Sequence, residues 1–427
     1  MGSEKPRSEA RRVFLYTNIS PRKTGSGTHL RMYSDCRAYL DLGFQVEVVQ
    51  AVPGGCRSEK APELPVTWTC VEASLHPSLL GRLQFRQGYP GHAAGKYYFE
   101  RHSAVYEAAR VRGRQYPGSL HQFATAADSA LAFLPGLNAI WSTHDLPSSV
   151  IAASNRIDQE LGSTPISAPQ RREYQFVKRF ERRIARASRL IVCITPDDRD
   201  FIRTEWGAPN VEHLPMSISD VPQLLEARSW LGDGRLNLLH LGAIAHLPSF
   251  RSLEFLLGEV LPRLPQEVLQ RISLQVVGEA SGASNRCVRI RELAAKYAQV
   301  SLLGRVADLT PLYASSDLQV VASTEATGLR TRVVESFAFG LPVLSTTLAS
   351  RGVAGILSGE NIILADTTEA WVQAIELILA DPAQLRLLAR KARATYDTLH
   401  GAPIVAAALK SLLSRHFGLA VREGGAT

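Results

Sequence analysis

The amino-acid sequence predicts an α/β protein with two doubly wound, Rossmann-like domains. Short apolar runs typical of buried strands alternate with helical patterns along most of the chain, which favours parallel sheets with crossover helices. A strand, a glycine-containing turn and a helix follow one another near Val13 and again near Leu236. The 427 residues exceed one ordinary core, so two domains are expected. We predict them at 1–218 and 236–400, with a linker at 219–235.

The composition is that of a globular, enzyme-sized protein with a basic balance. The chain is 45% hydrophobic and 21% charged, and its net charge of +8 permits an anionic partner such as a nucleotide-sugar, nucleic acid or acidic membrane. The five cysteines are scattered, which predicts neither a zinc site nor a disulfide framework and favours a reducing setting. The polar N-terminal segment and the lack of a long apolar stretch predict neither secretion nor a membrane span, hence a cytoplasmic location.

Gly25 and Gly27 are the first candidate site residues. They follow a predicted strand at 13–17 and precede a helical pattern at 29–42. In doubly wound folds a glycine-rich turn at this place brings backbone close to a ligand, although any tight turn would also use glycine. Further strands of the first domain are predicted at 44–51, 66–71, 120–124 and 139–143.

His144 is the next candidate, because it directly follows the predicted strand at 139–143. Ligand crevices of open parallel sheets lie outside the carboxyl ends of the strands, so a polar side chain at this position is well placed for a site. A histidine that only supports local structure is the alternative interpretation, and the residues alone leave both open.

A strongly basic helix is predicted from 169 to 189. It carries one apolar stripe at helical spacing, and basic residues occupy its other faces: Arg171, Arg172, Lys178, Arg179, Arg182, Arg183 and Arg186. Such a helix suits an anionic membrane or nucleic acid. A packed stripe with a solvated basic surface is the commoner explanation.

The second half of the chain places glycines and charges directly after predicted strands. Gly242 ends the strand that begins at Leu236. Glu279 and Arg305 follow further predicted strands, at 274–278 and 300–304. This repeats the strand–glycine–helix pattern of the first domain and predicts a second parallel sheet.

The segment from Thr324 to Leu344 carries the densest chemistry. It follows an apolar run and opens into an amphipathic pattern, so Arg330 and Arg332 are expected on a strand-to-helix turn. A helix N-terminus offers unpaired N–H groups, and arginine forks suit phosphate oxygens. Glu335 lies one turn further on and is suited to accept hydrogen bonds from sugar hydroxyls. Solvated surface charges are the alternative interpretation.

Residues 328–343 resemble the G-x-R-x-K-x-x-E-A-x-A-x-G-x-P-V segment of retaining GT-B glycosyltransferases of family 4, in the subgroup with a G-x-R-x-K-x-x-E donor motif. Residues 300–313 resemble the V-x-x-x-G-x-V-x-D-L-x-x-x-Y segment of the same family. The resemblance runs in order from Val13 to about Leu399. It implies two facing Rossmann-like domains with an inter-domain cleft, and a C-terminal helix within 401–427 that crosses back to the first domain.

The resemblance implies transfer of a sugar from a nucleotide-sugar to a hydroxyl acceptor, with retention at the anomeric carbon. The sequence offers no carboxylate pair typical of a divalent-metal site, so we expect no metal cofactor. Arg330 and Arg332 would stabilise the leaving diphosphate, Glu335 would hold the ribose, and His144 would orient sugar or acceptor. The implied donor-binding positions are Gly25, Gly27, Gly242, Glu279, Arg305, Glu325, Thr327, Gly328 and Leu329. We expect a role in polysaccharide or glycoconjugate biosynthesis, peripheral contact with an anionic membrane, and no nucleic-acid partner.

Several positions depart from the family pattern. Thr327 stands where many members carry the first of two glutamates eight residues apart, and Arg332 replaces a common lysine. The loop at 242–251 lacks the Arg–Lys pair that often holds the diphosphate, and Met216-Ser217 replaces an Asn-Gly turn. A catalytically silent, nucleotide-binding shell is therefore the first alternative, and a membrane or nucleic-acid module built on helix 169–189 is the second.

Overall fold

The computed structural model describes residues 11–53, 62–73, 93–134, 136–149, 151–152, 167–218, 221–222, 229–280, 284–324 and 329–419. The chain divides into two compact units. The first contains the chain up to Met216 and the segment from Ala402, and the second contains Ser217–Gly401. Each unit is built on its own parallel sheet.

The helices and strands alternate in both units. In the first half the elements are β1 (Arg12–Thr17), α1 (Gly27–Asp41), β2 (Gln45–Pro53), β3 (Thr67–Ala73), α2 (Ala93–Gln115), β4 (Leu120–Ala124), a 3₁₀ helix (Thr125–Phe133), β5 (Asn138–Thr143), α3 (Ala168–Ala187), β6 (Leu190–Cys193), α4 (Pro196–Trp206) and β7 (Val211–His213). In the second half they are β8 (Leu236–Leu241), α5 (Leu247–Phe255), which continues as a π-helical turn (Leu256–Val260) and a 3₁₀ turn (Leu261–Arg263), α6 (Gln266–Gln270), β9 (Ile272–Val277), α7 (Asn285–Ala294), β10 (Val300–Gly304), α8 (Thr310–Ser315), β11 (Leu318–Val321), α9 (Thr331–Phe339), β12 (Val343–Ser345), α10 (Thr347–Ser350), β13 (Ile363–Leu364), α11 (Thr368–Ala380), α12 (Ala383–Leu399) and α13 (Ala402–Phe417).

The sheet of the first unit has the order β3-β2-β1-β4-β5-β6-β7, with every neighbouring pair parallel. Its central strands are nearly continuous apolar runs because helices cover both faces. Val13 and Leu15 pack into the core beneath α1 and α13, whereas Phe14 and Tyr16 pack with α2 and the 3₁₀ helix. The strand order reverses between β1 and β4, which is the switch point of a doubly wound fold.

Helix α13 packs on α1 within the first unit. Leu409 and Leu413 of α13 share a core cluster with Met32 and Tyr39 of α1, and all four side chains are buried. The last helix of the chain therefore completes the core that forms on the first helix.

The sheet of the second unit has the order β10-β9-β8-β11-β12-β13, again with parallel neighbours. Leu238, Leu274 and Val320 from adjacent strands form one core with helices α5 and α11, in which Trp371 is fully buried. The order reverses between β8 and β11, so the second unit has a switch point of the same kind. The predicted α/β class with two Rossmann-like, parallel-sheet domains is confirmed.

One expectation from the sequence needs correction. Cys70 on β3 is disulfide-bonded, although the scattered cysteines predicted no disulfide framework, because spacing along a chain does not reveal which thiols meet in space. Cys36, Cys193 and Cys287 are free and buried. The edge strand β13 is short, since only Ile363–Leu364 pairs with β12 as a strand. In the described residues no helix has both the length and the apolar character needed to cross a bilayer.

Candidate functional site

The carboxyl ends of β8 and β11 flank the switch point of the second sheet, where a doubly wound fold forms its ligand crevice. Gly242 follows β8 directly, and Arg330 is the N-cap residue of α9. Helix α9 buries its apolar face, including Val333 and Phe337. Arg332 and Glu335 are half-buried on its other side. The predicted strand-to-helix turn therefore lies at the predicted edge of the sheet.

Arg332 lies directly against the backbone of Gly242. A Cβ atom at residue 242 would stand 2.7 Å from Nη2 and 2.8 Å from Nη1 of Arg332, so any side chain there would displace the guanidinium. Nη2 also donates to Oγ of Ser249, at 3.4 Å. Gly242 has a φ of +146°, a backbone conformation that glycine adopts most readily. Two residues predicted separately for one site are thus in contact.

Burial is the largest influence on the ionisable groups of α9. It lowers the pKa of Arg332 to about 10, and repulsion from Arg330 acts in the same direction. It raises the pKa of Glu335 to about 7, against the lowering effects of Tyr313 and Arg332. Arg332 stays charged at neutral pH, whereas Glu335 titrates near neutrality. A partly desolvated cation of this kind is suited to an anionic ligand.

Tyr313 of α8 packs against the C-terminal end of α9. Its fully buried ring stacks on Phe339 with 4.1 Å between the ring centroids. Its hydroxyl favours the ionised form of Glu335, while burial and the Glu335 charge raise the pKa of Tyr313 itself. Next to Phe339, at the same C-terminal end of α9, Arg393 of α12 donates from Nη1 to the carbonyl oxygen of Ala338 at 2.6 Å. The C-terminal end of the helix that carries Arg332 and Glu335 is therefore held by contacts with α8 and α12.

Three further predicted donor positions of this unit lie in the described residues, along the same edge. Glu279 follows β9 and Arg305 follows β10, and both residues are exposed. Leu329 precedes the N-cap Arg330 and is half-buried. The predicted positions Glu325, Thr327 and Gly328 lie outside the described residues.

Gly25 and Gly27 lie in the first unit, on the turn between β1 and α1. Gly25 has a φ of +127°, and Gly27 is the first residue of α1. Oγ of Ser26 lies 2.8 Å from Nδ1 of His29, which ties the turn to the first turn of the helix. The glycine-rich turn is thus at the carboxyl edge of the first sheet, as predicted.

His144 directly follows β5 at the same edge of the first sheet. Neither ring nitrogen has a hydrogen-bond partner among the described residues. Burial, and then the charge of Arg31, lower the pKa of His144 to about 3. The imidazole is therefore neutral at neutral pH, with one donor and one acceptor nitrogen that are both buried and without a partner among the described residues.

Thr125 is a feature of this edge that sequence analysis missed. It follows β4 with a φ of +59°, which is unusual for a β-branched residue. Its hydroxyl donates to Oδ1 of Asn18, and the Asn18 N–H donates back to the hydroxyl at 3.3 Å. The contact joins the ends of β1 and β4 at the switch point. Residue type alone gives no signal for a left-handed threonine.

The basic helix predicted at 169–189 is α3. A Ser167–Gln170 capping box starts it, and Val177 and Ile184 are buried on its inner face. Its outer side carries an exposed stripe, the basic stripe, formed by Arg172, Arg179, Arg183 and Arg186. These positions lie within an arc of about 60° on a helical projection and so share one face.

Comparison with known proteins assigns the second unit to a class. Residues 235–381 match the family model described as Glycosyl transferases group 1, so this segment is a group 1 glycosyltransferase domain. The D-inositol 3-phosphate glycosyltransferase of Rhodococcus opacus (strain B4) is 26% identical over 260 residues, which cover 57% of this chain and 55% of the relative. The enzyme of that name from Rhodococcus jostii (strain RHA1) is 28% identical over 261 residues, 57% of this chain and 54% of its own. The chain thus spans about half the length of these relatives.

Solved structures with the GT-B fold match most of the chain. The sucrose-phosphate synthase of Thermosynechococcus elongatus has a TM-score of 0.69 at 15% identity, covering 96% of this chain and 100% of its own. WaaG, a glycosyltransferase of lipopolysaccharide biosynthesis, has a TM-score of 0.62 at 16% identity, with coverages of 94% and 99%. Anabaena HepE, solved in complex with UDP, has a TM-score of 0.63 at 14% identity, with coverages of 95% and 100%.

Proposed function

We propose that this protein is a retaining glycosyltransferase of family 4 that transfers a sugar from a nucleotide-sugar to a hydroxyl acceptor. The observation that carries the proposal is the half-buried Arg332 held against Gly242 at the switch point of a group 1 glycosyltransferase domain. Glu335, one turn along the same helix, provides a second polar group beside it. A cation followed along the helix by a hydrogen-bond acceptor suits a nucleoside diphosphate, because its phosphates and its ribose lie next to each other.

The difficult step of such a reaction is departure of the nucleoside diphosphate while positive charge grows on the sugar. In our proposal Arg330, Arg332 and the first N–H groups of α9 bind the leaving diphosphate, since pre-placed donors stabilise developing negative charge. Glu335 accepts hydrogen bonds from the ribose. The UDP named with HepE makes a uridine nucleotide the first candidate donor.

The first unit would supply the groups next to the transferred sugar and the acceptor. A neutral His144 is suited to hydrogen-bond hydroxyl groups rather than to act as a cation. The turn at Gly25 and Gly27 would bring backbone close to the diphosphate and the acceptor. The proposal also includes retention of configuration at the anomeric carbon and a sugar or lipid-linked acceptor. It further includes a role in polysaccharide or glycoconjugate biosynthesis.

We expect calorimetric titration with UDP, GDP and ADP to show that nucleotide binding depends on the ionisation of Glu335. Protonation removes the carboxylate that accepts from the ribose, so affinity falls as the pH falls through about 7. From about pH 8 to about pH 6 the dissociation constant of the bound nucleotide should rise by about tenfold for the wild type. In Glu335→Gln this change should vanish, apart from the ionisation of the nucleotide itself, which is common to both proteins.

The same titrations separate the proposal from its rivals. EDTA should leave the nucleotide bound, because we propose that arginines and helix N–H groups, rather than a metal ion, neutralise the diphosphate. Loss of binding in EDTA would overturn that part. Binding without sugar turnover toward any acceptor would identify a catalytically silent shell. Absence of binding by all three nucleotides at millimolar concentration would refute a donor site at α9.

The basic stripe of α3 favours an additional property, contact with an anionic membrane surface. Each arginine near such a surface contributes about 1 kcal/mol, so Arg172→Gln, Arg179→Gln and Arg186→Gln together should lower binding to phosphatidylserine-containing vesicles by about a hundredfold. Sedimentation with vesicles of increasing phosphatidylserine content measures this. A triple variant with the same net charge, R271Q/R386Q/R390Q, changes exposed arginines of the second unit and should bind like the wild type. Equal losses of vesicle binding in both triple variants would indicate that net charge alone, and not the basic stripe, determines the binding.

A further inference from the structure

We infer that Ser249 is a positioning residue for Arg332, and that together with Gly242 and Gly278 it forms a cradle built for a guanidinium group. We call these three residues the arginine cradle. The inference rests on the proposed function, because it concerns how the second unit holds the cation that faces a diphosphate. It predicts that lysine cannot replace Arg332 without loss, although the charge is the same.

Ser249 provides the polar wall of the arginine cradle. It lies in the first turn of α5, is 2% exposed, and its Oγ accepts from Nη2 of Arg332 at 3.4 Å. The same Oγ stands 2.2 Å from the place of a Cβ at residue 242. The hydroxyl and the guanidinium therefore occupy together the space that the absent side chain of Gly242 leaves.

Gly278 keeps that space fixed. A Cβ at residue 278 would stand 2.1 Å from the carbonyl oxygen of Gly242, so the ends of β8 and β9 are packed backbone to backbone. The N–H of Gly242 also donates to the carbonyl oxygen of Val277 at 2.9 Å. The backbone under Arg332 thus has little freedom to move away from it. The position of the guanidinium is set before any ligand arrives.

The cradle distinguishes arginine from lysine through geometry. Both terminal nitrogens of Arg332 approach Gly242, at 2.7 and 2.8 Å from the Cβ place, while only Nη2 reaches Ser249. A planar fork keeps N–H donors for a ligand while one nitrogen is held by the hydroxyl. A lysine has a single nitrogen and a flexible stem, so contact with Ser249 would compete with contact with a phosphate.

Titration of UDP into four proteins tests the inference: the wild type, Ser249→Ala, Arg332→Lys and the double variant. We expect Ser249→Ala to weaken UDP binding by about three- to tenfold, the scale of one typical hydrogen bond, since the contact between Oγ and Nη2 is long at 3.4 Å. Arg332→Lys should weaken it more. In the Arg332→Lys background, removal of the Ser249 hydroxyl should cost less than twofold, because the interaction that it supports is already lost.

Ser252 supplies the matched control. It is a second buried serine on α5, one turn beyond Ser249, and its Oγ accepts from the Ala322 N–H at 3.0 Å instead of contacting Arg332. Ser252→Ala should change thermal stability at least as much as Ser249→Ala, yet its effect on UDP binding should be the same in both backgrounds.

The UDP titrations distinguish a failure of this inference from a failure of the proposed function. If Ser249→Ala binds UDP like the wild type, or loses equal affinity in both backgrounds, Ser249 does not position Arg332, and the donor site still stands. If Arg332→Ala also binds UDP like the wild type, the arginine does not face the nucleotide, and the proposed function fails with it.

Discussion

Arg332→Ala should lower kcat/KM for sugar transfer by about 10²–10³-fold, the loss that follows removal of one pre-placed donor to a developing negative charge. Arg332 is the half-buried cation at the switch point of the second sheet, and its place is fixed by Gly242 and Ser249. An alanine leaves the departing diphosphate without that charge at the moment when it is needed. Release of nucleoside diphosphate from candidate nucleotide-sugars, in the presence and absence of acceptor, measures the effect.

Arg251 is a suitable control for the loss of one arginine near the site. It lies on α5, and its Nη1 contacts a carboxylate oxygen of Glu254 at 2.8 Å, so its charge is matched locally. Arg251→Ala should keep kcat/KM within about threefold of the wild type, in line with the small effect of an isolated ion pair. Arg332→Ala should not lower thermal stability, because burial already disfavours the charge, as its lowered pKa indicates. Activity retained within threefold in Arg332→Ala would place the catalytic cation elsewhere.

The edge of the second unit that carries the candidate site could be predicted from sequence because its residues follow strands directly. Gly242 comes immediately after an apolar run, and Arg330 and Arg332 open the amphipathic segment after another. Parallel strands bring their carboxyl ends to one edge, so adjacency in sequence becomes adjacency in space. The periodicity that buries Val333 and Phe337 also explains why Arg332 and Glu335 share the opposite side of α9.

Contacts between side chains far apart in sequence could not be predicted in this way. Ser249 and Arg332 are 83 residues apart, and their contact depends on how α5 and α9 pack at the ends of β8 and β11. A threonine does not signal a left-handed backbone in the sequence, so the conformation of Thr125 could not be predicted. The structure shows it together with the hydrogen bonds between Thr125 and Asn18. The sequence specifies the order of elements at an edge more clearly than the packing of side chains between them.

The buried charges of the first unit also could not be predicted from the sequence. Arg31 and Asp35 are four residues apart on α1, a spacing typical of surface ion pairs, yet both side chains are almost fully buried. Nε of Arg31 lies 2.9 Å from Oδ1 of Asp35, and Nη1 donates to the carbonyl oxygen of Leu214 at 2.7 Å. Gln122 and Ser142, from β4 and β5, donate to Oδ2 of Asp35 at 2.6 and 3.0 Å. The pair therefore lies between α1 and the sheet.

Asp35→Ala should destabilise the first unit by about 3–5 kcal/mol, because it leaves the Arg31 guanidinium buried without a counter-charge. Gln122 and Ser142 would also lose their acceptor, which adds to the cost. Hydrogen exchange of β4 and β5 peptides, followed by mass spectrometry at increasing urea concentration, reports the stability of this unit separately from the second one. The exchange of β8 and β9 peptides should stay unchanged and serves as the internal reference.

The double variant Arg31→Met, Asp35→Leu separates the cost of an unpaired charge from the value of the pair. Apolar side chains of similar size remove both charges, and replacing a whole buried pair in this way is often neutral or stabilising. We therefore expect the double variant to be more stable than Asp35→Ala, even though it removes more polar contacts. If instead it is the less stable of the two, the Arg31–Asp35 pair makes a net favourable contribution beyond compensating its own burial. Arg31, whose charge adds to burial in lowering the pKa of His144, would then also make the first unit more stable.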